Sequence, residues 1–512
     1  MRSRTRLPRL SAIRSLLVSP AAHDVAALGA GALLALAFAP FDLWPLAVLA
    51  PALLFRLWTE CRRGRAFWRG WLFGVGLWGA GVYWVYFSLH HFGAAVGPLA
   101  GFLTAGFVLA LALLPAVLGA LVTGRPIEAR GATWFLLVLP GAWVLLEWVR
   151  SWLLTGFPWL LLGTSQVDTW LAGYGPVVGV YGIGLVLAVT AGALALLPEL
   201  RKRAWVPVLA VPVVLWGVGA ALGGAAWSRP GGLPFDAALV QGNVAQEQKF
   251  GTLDESLALY QRLTREVAGT AELVVWPETA VPTFYRRVAD RLNEFERGME
   301  ASGTRVVTGV FTVEENSGRY YNAVRPLGVG ALEYRKQRLV PFGEYMPMRG
   351  ALQFLERYIQ IPMSDIAAGR AGQPALKPGD FRLGASVCYE AAYPSVMRRI
   401  AARSTVLINV SNDGWFGDST APHQHLQIAR MRSIETARPM LRATNTGVTA
   451  IIDHQGGVVA RGPQFEEAVV QGRIEPRAGL TPYARAGNAP IVVLAALLAL
   501  APWLVRLWRR RR

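Results

Sequence analysis

Two cysteines occur in the 512 residues, and one of them has neighbours that suggest chemistry. Cys388 follows the run Leu383 to Val387, which predicts a buried strand, and Glu390 comes two residues later. A thiol at the end of a strand with a carboxylate close behind it is a candidate nucleophile. The alternative is a structural cysteine, because free cysteines often only fill cores. Cys61 lies instead in an Arg-rich segment.

A nucleophilic cysteine reacts as its thiolate and needs a base or a cation beside it. Two sets of residues offer such a base or cation. The first is His423 and His425, since histidine is the usual partner of a catalytic cysteine. The second is Glu278 in the motif WPET, whose apolar collar suits a general base, together with Lys336 in the motif RKQR. Singly, each could be an ordinary solvated charge, so both sets stay open at this point.

The elements that must position these candidates lie within residues 226–485. Short apolar runs predict strands, namely Ala237 to Val240, Glu272 to Trp276, Arg305 to Val310, Leu383 to Val387, Val406 to Val410 and Gly447 to Ile452. Amphipathic segments predict helices at Glu255 to Val267, Ala289 to Ala301 and Gln424 to Ala437. Strands alternating with helices indicate a layered α/β domain, in which functional side chains collect where strands end.

Charge is distributed unevenly along the chain. The sequence is 53% hydrophobic and 16% charged, with a formal net charge of +18, a composition that excludes a disordered chain. Residues 226–485 contribute +4 of this charge and the remainder contributes +14. Because the excess belongs to the apolar part, it indicates membrane orientation and not a nucleic-acid partner.

Eight apolar runs predict membrane spans. They lie at about 22–39, 43–59, 67–87, 97–122, 132–149, 173–198, 204–224 and 488–508, and most reach the roughly 20 residues that cross a hydrocarbon core. Arginine and lysine cluster at both termini and in alternate loops, at 62–65, 125–130 and 201–203. The positive-inside rule then places both termini in the cytoplasm and residues 226–485 outside. On that topology Cys61 and Cys388 cannot form a disulfide.

The candidates and spans together resemble a known family. The order Glu278, Lys336, Cys388 is similar to the Glu-Lys-Cys triad of the nitrilase, or carbon-nitrogen hydrolase, superfamily. With the membrane part, the chain resembles the bacterial apolipoprotein N-acyltransferases from about residue 25 to 508. Further motifs carry the resemblance: FAP with WP (38–45), WVY (84–86), LTGFPW (154–159), VQGN (240–243), SNDGWFG (411–417), ARMR (429–432) and TPYAR (481–485).

The resemblance implies both an architecture and an activity. A membrane domain at 1–225 would carry a periplasmic α-β-β-α domain at 226–485, followed by a last span and a basic tail at 486–512, all in the bacterial inner membrane. The family moves an acyl chain from a phospholipid to the α-amino group of the diacylglyceryl-cysteine of an apolipoprotein, through a cysteine thioester. It implies no cofactor and no metal, and we expect a monomer.

The resemblance also assigns roles to residues. Glu278 would be the base, Cys388 the nucleophile, and Lys336 the cation that stabilises thiolate and oxyanion, with the Tyr389 backbone N–H as a second donor. Glu344 and Glu390 are accessory carboxylates that orient Lys336 and the site. We further expect four aromatic residues to contact the substrate, and His423 and His425 to be structural. The four are Trp152, Trp276, Trp415 and Phe416.

Two other functions use the same sequence features. A membrane-tethered amidase would pass the acyl group to water with the same triad, and a transporter or scaffold would carry an inactive domain. The scarcity of charges within the apolar runs argues against a transporter. Residues 346–380 include apolar residues that predict an amphipathic lid at the bilayer surface, with an ordinary packed insertion as the alternative.

Overall fold

The computed structural model describes residues 19–92, 95–124, 130–245, 251–346, 350 and 365–510. The first part of the chain is helical. Its helices are α1 (Pro20–Ala35), α2 (Leu46–Trp58), α3 (Arg63–Gly81), α4 (Val85–Phe87), α5 (Gly97–Val122), α6 (Leu139–Arg150), α7 (Gly175–Leu196) and α8 (Trp205–Gly223). Residues 88–92 and 134–138 are π-helical turns that extend α4 and precede α6.

Three of these helical stretches are long and apolar enough to cross a membrane within the described residues. They are Gly97–Val122, Trp170–Glu199 and Lys202–Gly223, and a fourth is possible if α3 and the bent segment after it form one span. Other predicted spans contain shorter helices. Helix α2, for example, has 13 residues and would extend only about 20 Å. The apolar helices fit a membrane protein, while the count of eight spans stays a prediction.

The second part of the chain contains fourteen described strands. They are β1 (Arg229–Pro230), β2 (Phe235–Gln241), β3 (Leu273–Val275), β4 (Val281–Phe284), β5 (Arg305–Val313), β6 (Tyr320–Pro326), β7 (Tyr334–Arg335), β8 (Leu383–Val387), β9 (Val406–Ser411), β10 (Met440–Thr444), β11 (Ala450–Ile452), β12 (Val458–Arg461), β13 (Ala468–Ile474) and β14 (Arg477–Ala478). The helices between and after them are α9 (Leu253–Glu266), α10 (Tyr285–Ala301), α11 (Pro394–Ala401), α12 (Ala421–Thr436), α13 (Pro482–Ala486) and α14 (Ala489–Arg510).

Most of these strands form two sheets packed face to face. One sheet has the order β13-β2-β3-β5-β6-β7, with β4 also paired to β5, and the other has the order β12-β11-β10-β9-β8. Alternate residues of β2 point to opposite layers: Leu239 joins the core between the sheets, while Val240 packs under α9 and α10. Helices α11 and α12 cover the outer face of the second sheet. This is the α-β-β-α layering expected from the sequence.

Helix α12 attaches the layered domain, which the two sheets and their helices form, to the helical base of α1 to α8 through several polar contacts. Trp159 Nε1 donates to Gln424 Oε1 at 2.6 Å, and Gln427 Nε2 donates to Asp42 at 2.8 Å. Arg430 forms an ion pair with Asp168, and the backbone N–H of Val180 donates to Glu435 Oε1 at 2.8 Å. Its side chains are buried almost all round because both parts of the chain pack on it.

The Glu435 contact falls where α7 is broken. Gly179 has φ +68°, in the left-handed region, and a Cβ there would come within 2.6 Å of the Tyr483 ring. The break frees the N–H of Val180, and Glu435 accepts its hydrogen bond as a helix cap would. Glu435 also faces Arg432 at 3.0 Å, and both side chains are buried. A carboxylate from the layered domain therefore completes a helix of the base.

Replacing Glu435 tests this attachment. Glu435→Leu removes the acceptor and leaves Arg432 as an uncompensated buried charge, so we expect a loss of roughly 3–5 kcal/mol in stability. Glu435→Gln also removes the charge that faces Arg432 but retains an acceptor for the Val180 N–H, so the difference between the two variants reports that hydrogen bond. The midpoint of thermal aggregation in detergent measures the difference. Equal midpoints for the two variants would contradict the contact.

Candidate active site

Cys388 lies at the turn that follows β8. Its φ is +50°, a left-handed conformation that residues with a Cβ rarely adopt, and a short 3₁₀ turn (Cys388–Ala392) begins there. Strand β8 pairs in parallel with β9, so this turn is at the carboxyl edge of the second sheet. The thiol is buried, at 6% exposure. The strand predicted from the sequence thus ends at the predicted nucleophile.

Glu278 and Lys336 meet at the edge of the first sheet. Glu278 follows β3, and Asn322 Nδ2 donates to its Oε1 at 2.7 Å while the Asn412 N–H donates to its Oε2 at 2.9 Å. Lys336, which follows β7, has its Nζ 3.5 Å from Glu278 and 2.8 Å from Glu344. The side chains of Glu278, Lys336 and Glu344 are all buried. Glu278 is far from the other two in the sequence, and the fold brings the three together.

The charges of this cluster bear directly on the thiol. Burial raises the pKa of Cys388 to about 12, and the Glu278 carboxylate contributes to the rise, while the Lys336 ammonium opposes it. Burial alone would lower the pKa of Lys336, but Glu344 and Glu278 more than offset this, so the net pKa is raised. The resting arrangement is therefore a neutral thiol beside an ammonium held by two carboxylates.

Glu390 supports this cluster without touching the ammonium. Its carboxylate accepts hydrogen bonds from Tyr334 OH at 2.9 and 3.0 Å, from the N–H groups of Gln337 and Arg338 at 2.7 and 3.1 Å, and from the Val387 N–H at 2.9 Å. Burial raises the pKa of Glu390. One carboxylate thus joins the backbone that follows Lys336, and the Tyr334 side chain that precedes it, to the strand that ends at Cys388.

Tyr389 connects the site to the helical base. Its hydroxyl donates to the carbonyl of Gly156 at 3.3 Å, and Tyr393 donates to the same oxygen at 3.1 Å. Gly156 lies in the LTGFPW motif, whose backbone Arg150 holds by donating to the carbonyls of Phe157 and Trp159. The motif residues of the base therefore contact the turn that carries Cys388.

The four aromatic candidates lie in different surroundings. Trp152 is half exposed on the base beside Trp148. Phe416 packs against Trp84 with ring centroids 4.8 Å apart, and the Trp415 carbonyl accepts from Ser88, so these two lie between the layered domain and the base.

Trp276 does not lie where a residue that contacts the substrate is expected. It is fully buried, and its Nε1 donates to Thr264 Oγ1 at 2.8 Å. Its ring packs with Tyr260 and Phe295 in the outer core between sheet and helices. The structure thus gives Trp276 no surface for a substrate, because its side chain points to the helix layer.

The histidines do not approach the thiol in the way a base would. His425 Nε2 lies 3.1 Å from the backbone oxygen of Cys388, and Nδ1 lies 3.1 Å from Asp413. His423 lies beside Arg461 near the surface. Sequence reasoning left His425 without a role and missed Asn409, which also donates to the Cys388 carbonyl. Asparagine within an otherwise apolar strand was the available signal.

The described residues contain no group of three or more histidine, cysteine, aspartate or glutamate side chains arranged to hold a metal ion. Of the segment proposed as a lid, residues 347–349 and 351–364 lie outside the described residues.

The fold and the site define a class of protein. Residues 236–483 match the family model described as carbon-nitrogen hydrolase, so this part of the chain is a domain of that class. Residues 30–193 match the model for the apolipoprotein N-acyltransferase N-terminal domain. The chain belongs to the apolipoprotein N-acyltransferase family.

Full-length relatives support the same assignment. The apolipoprotein N-acyltransferase of Azotobacter vinelandii is 44% identical over 483 residues, covering 93% of each chain. That of Methylococcus capsulatus is also 44% identical, over 92% of this chain and 94% of its own. Among solved structures, a carbon-nitrogen hydrolase from Helicobacter pylori is 18% identical with a TM-score of 0.33, covering 47% of this chain and 89% of its own.

The electrostatics predict how the thiol responds to alkylation. Because its pKa is raised to about 12, the rate of carboxamidomethylation at Cys388 should keep rising with pH through the ordinary cysteine range. Lys336→Met removes a cation that lowers the thiol pKa, so we expect at least about tenfold slower alkylation at pH 8. Mass spectrometry of the labelled peptide measures the rate. Lys336→Arg retains the charge and should slow alkylation less; an unchanged rate in Lys336→Met would contradict the cluster.

Proposed function

We propose that this protein transfers a fatty acyl chain from a phospholipid to the α-amino group of the diacylglyceryl-cysteine of apolipoproteins, through a thioester on Cys388. The observation that carries the proposal is a buried thiol beside the Lys336, Glu278 and Glu344 cluster, in a chain of the apolipoprotein N-acyltransferase family. A lipoprotein acceptor and a phospholipid donor follow from that activity.

In the first step Glu278 takes the proton of Cys388 as Sγ attacks an ester carbonyl of the phospholipid. Lys336 stabilises the negative charge that develops on sulfur and oxygen, and the Tyr389 N–H donates to the oxyanion. The carbon–oxygen bond of the ester then breaks, and the departing lysophospholipid oxygen takes the proton from Glu278. The products are the thioester and the lysophospholipid.

In the second step the α-amino group of the apolipoprotein attacks the thioester carbonyl. Glu278 accepts a proton from the amine, the carbon–sulfur bond breaks, and the proton returns to the Cys388 thiolate. The buried site favours the amine over water as acceptor, because a thioester in a dry environment hydrolyses slowly.

The accessory carboxylates act by positioning. Glu344 holds the ammonium of Lys336 at 2.8 Å and also accepts from the Val340 N–H at 2.8 Å. Glu390 fixes the backbone of the Lys336 segment from the other side. Neither carboxylate needs to exchange a proton during transfer, since each is committed to donors in the resting site.

The helical base presents the lipid to the site. Leu154 is 79% exposed, and Trp152 lies half exposed two residues before it. Both adjoin Gly156, which accepts from Tyr389 and Tyr393 beside Cys388. We propose that Trp152, Trp415 and Phe416 line the path of the acyl chain.

The topology proposed from the sequence completes this function. Domains at 1–225, 226–485 and 486–512, both termini in the cytoplasm, and residues 226–485 in the periplasm place the thiol on the side where lipoproteins mature. The basic loops support this orientation because arginine is retained on the cytoplasmic side. We propose that the protein acts as a monomer. Hydrolysis of a carbon–nitrogen bond is not favoured, since the full-length relatives are acyltransferases.

Acyl transfer predicts a trapped intermediate. Detergent-solubilised protein incubated with phospholipid should gain one acyl group on Cys388, detected by mass spectrometry, and should lose it when a diacylated lipopeptide with a free amine is added. Cys388→Ser should gain none under the same conditions, and Cys388→Ala is the second control. Acylation of Cys388→Ala would refute the nucleophile assignment, and rapid release of free fatty acid by the wild type would indicate a hydrolase.

Topology predicts the side from which exposed positions react. In a background of Cys61→Ala and Cys388→Ala, we expect Val329→Cys to react with an impermeant maleimide in spheroplasts, because Val329 is 89% exposed on the layered domain. Glu60→Cys, in the basic loop after α2, should react only after permeabilisation. The reverse pattern would place the layered domain in the cytoplasm.

A further inference from the structure

Two side chains from neighbouring elements hold the backbone carbonyl of Cys388. His425 Nε2 lies 3.1 Å from this oxygen, and Asn409 Nδ2 donates to it at 3.3 Å. The residue itself is in the left-handed region, with φ +50°, a conformation that costs energy in a residue with a Cβ. The carbonyl of this strained residue is thus contacted by side chains from β9 and α12, and not by its own strand.

Asn409 is fixed by a row of residues across three strands. Ser386 on β8, Asn409 on β9 and Arg442 on β10 are register partners, so their side chains share one face of the sheet. Asn409 Nδ2 also donates to Ser386 Oγ at 3.0 Å, and Arg442 donates to Asn409 Oδ1. All three side chains are fully buried. The amide therefore has one orientation, with its nitrogen toward Cys388.

Asp413 fixes the ring of His425 in a similar way. The carboxylate accepts from Arg442 at 2.7 Å and from Ser411 Oγ at 2.7 Å, and His425 Nδ1 lies 3.1 Å away. Although burial opposes it, Arg442 and His425 hold the pKa of Asp413 well below its usual range. The Cys388 carbonyl and the Asp413 carboxylate both only accept hydrogen bonds, so the ring that bridges them carries a proton on Nε2 and on Nδ1, as an imidazolium paired with Asp413, although burial and Arg442 lower its pKa.

A peptide group transmits this constraint to the reacting atoms. The Cys388 carbonyl and the Tyr389 N–H belong to the same planar peptide, and in a trans peptide they point in opposite directions. Fixing the oxygen therefore fixes the direction of the N–H. Tyr389 N–H is the donor that the proposed mechanism assigns to the oxyanion.

We propose that His425, oriented by Asp413, is a positioning residue for acyl transfer: with Asn409 it holds the Cys388 carbonyl and so aims the Tyr389 N–H at the oxyanion. This inference rests on the proposed thioester route. His425 is not the base in it, because its Nε2 proton is directed at a backbone oxygen and not at sulfur.

A pair of substitutions separates positioning from simple packing. In His425→Gln the amide nitrogen reaches the place of Nε2 and retains a donor to the carbonyl, whereas in His425→Asn the shorter amide reaches only the place of Nδ1. We expect His425→Asn to lower the single-turnover rate of Cys388 acylation by roughly 10- to 100-fold at saturating phospholipid, with KM unchanged. His425→Gln should stay within severalfold of wild type.

Alkylation by iodoacetamide supplies the control reaction. Displacement of iodide forms no oxyanion, so its rate and pH dependence at Cys388 should be the same in wild type, His425→Asn and His425→Gln. A parallel loss of alkylation and acylation in His425→Asn would mean that the ring acts on the thiol, and would overturn the inference. Leu292→Ala, in the distant core under α10, is a destabilised control that should keep the wild-type acylation rate.

A second substitution tests the other donor should His425→Asn fail to fold. Asn409→Asp keeps the size and the Arg442 contact but loses the N–H groups, and it should lower the acylation rate more than the alkylation rate, which the added carboxylate slows by raising the thiol pKa. Wild-type acylation in Asn409→Asp or His425→Asn would refute the positioning role. Failure of the wild type itself to form an acyl-enzyme would instead refute the proposed function, so the two failures are distinguishable.

Discussion

The burial of one ammonium group sets the conditions for the rest of the site. Lys336 is 1% exposed, and a charge so deep in a protein is tolerated only when opposite charges face it. Glu278 and Glu344 provide them, and each comes from a separate segment. The two-sheet core, the turn after β3 and the loop after β7 must therefore all be in place before the ammonium is stable.

That constraint also explains why the thiol rests in its neutral form. The ammonium is shared between two carboxylates, so little of its charge remains to lower the pKa of Cys388, which burial raises to about 12. In the proposed mechanism, reaction then requires proton transfer to Glu278 at the moment of attack. A resting thiol of this kind reacts slowly with adventitious electrophiles, because the thiolate is the reactive form of cysteine.

The sequence predicted the layers well because apolar runs mark buried strands directly. The strand at Leu383–Val387 has the predicted bounds, and all three predicted helices are present with ends shifted by a few residues. Short or polar strands, such as Met440–Thr444 with its buried Arg442, escaped prediction because their periodicity resembles that of loops. The contact of His425 with a backbone carbonyl could not be predicted, since no side-chain pattern reports where a carbonyl points.

The break in α7 limits how the two parts of the chain can be recombined with other domains. Helix α12 supplies a carboxylate to the Val180 N–H, and its Gln424 amide donates to the Gly81 carbonyl of the base. The base therefore makes specific polar contacts with the layered domain. A chimera carrying a soluble amidase on this base would expose those backbone groups at the junction. Each of the two parts therefore carries polar groups that are satisfied by the other, so neither can be exchanged without also replacing its partners.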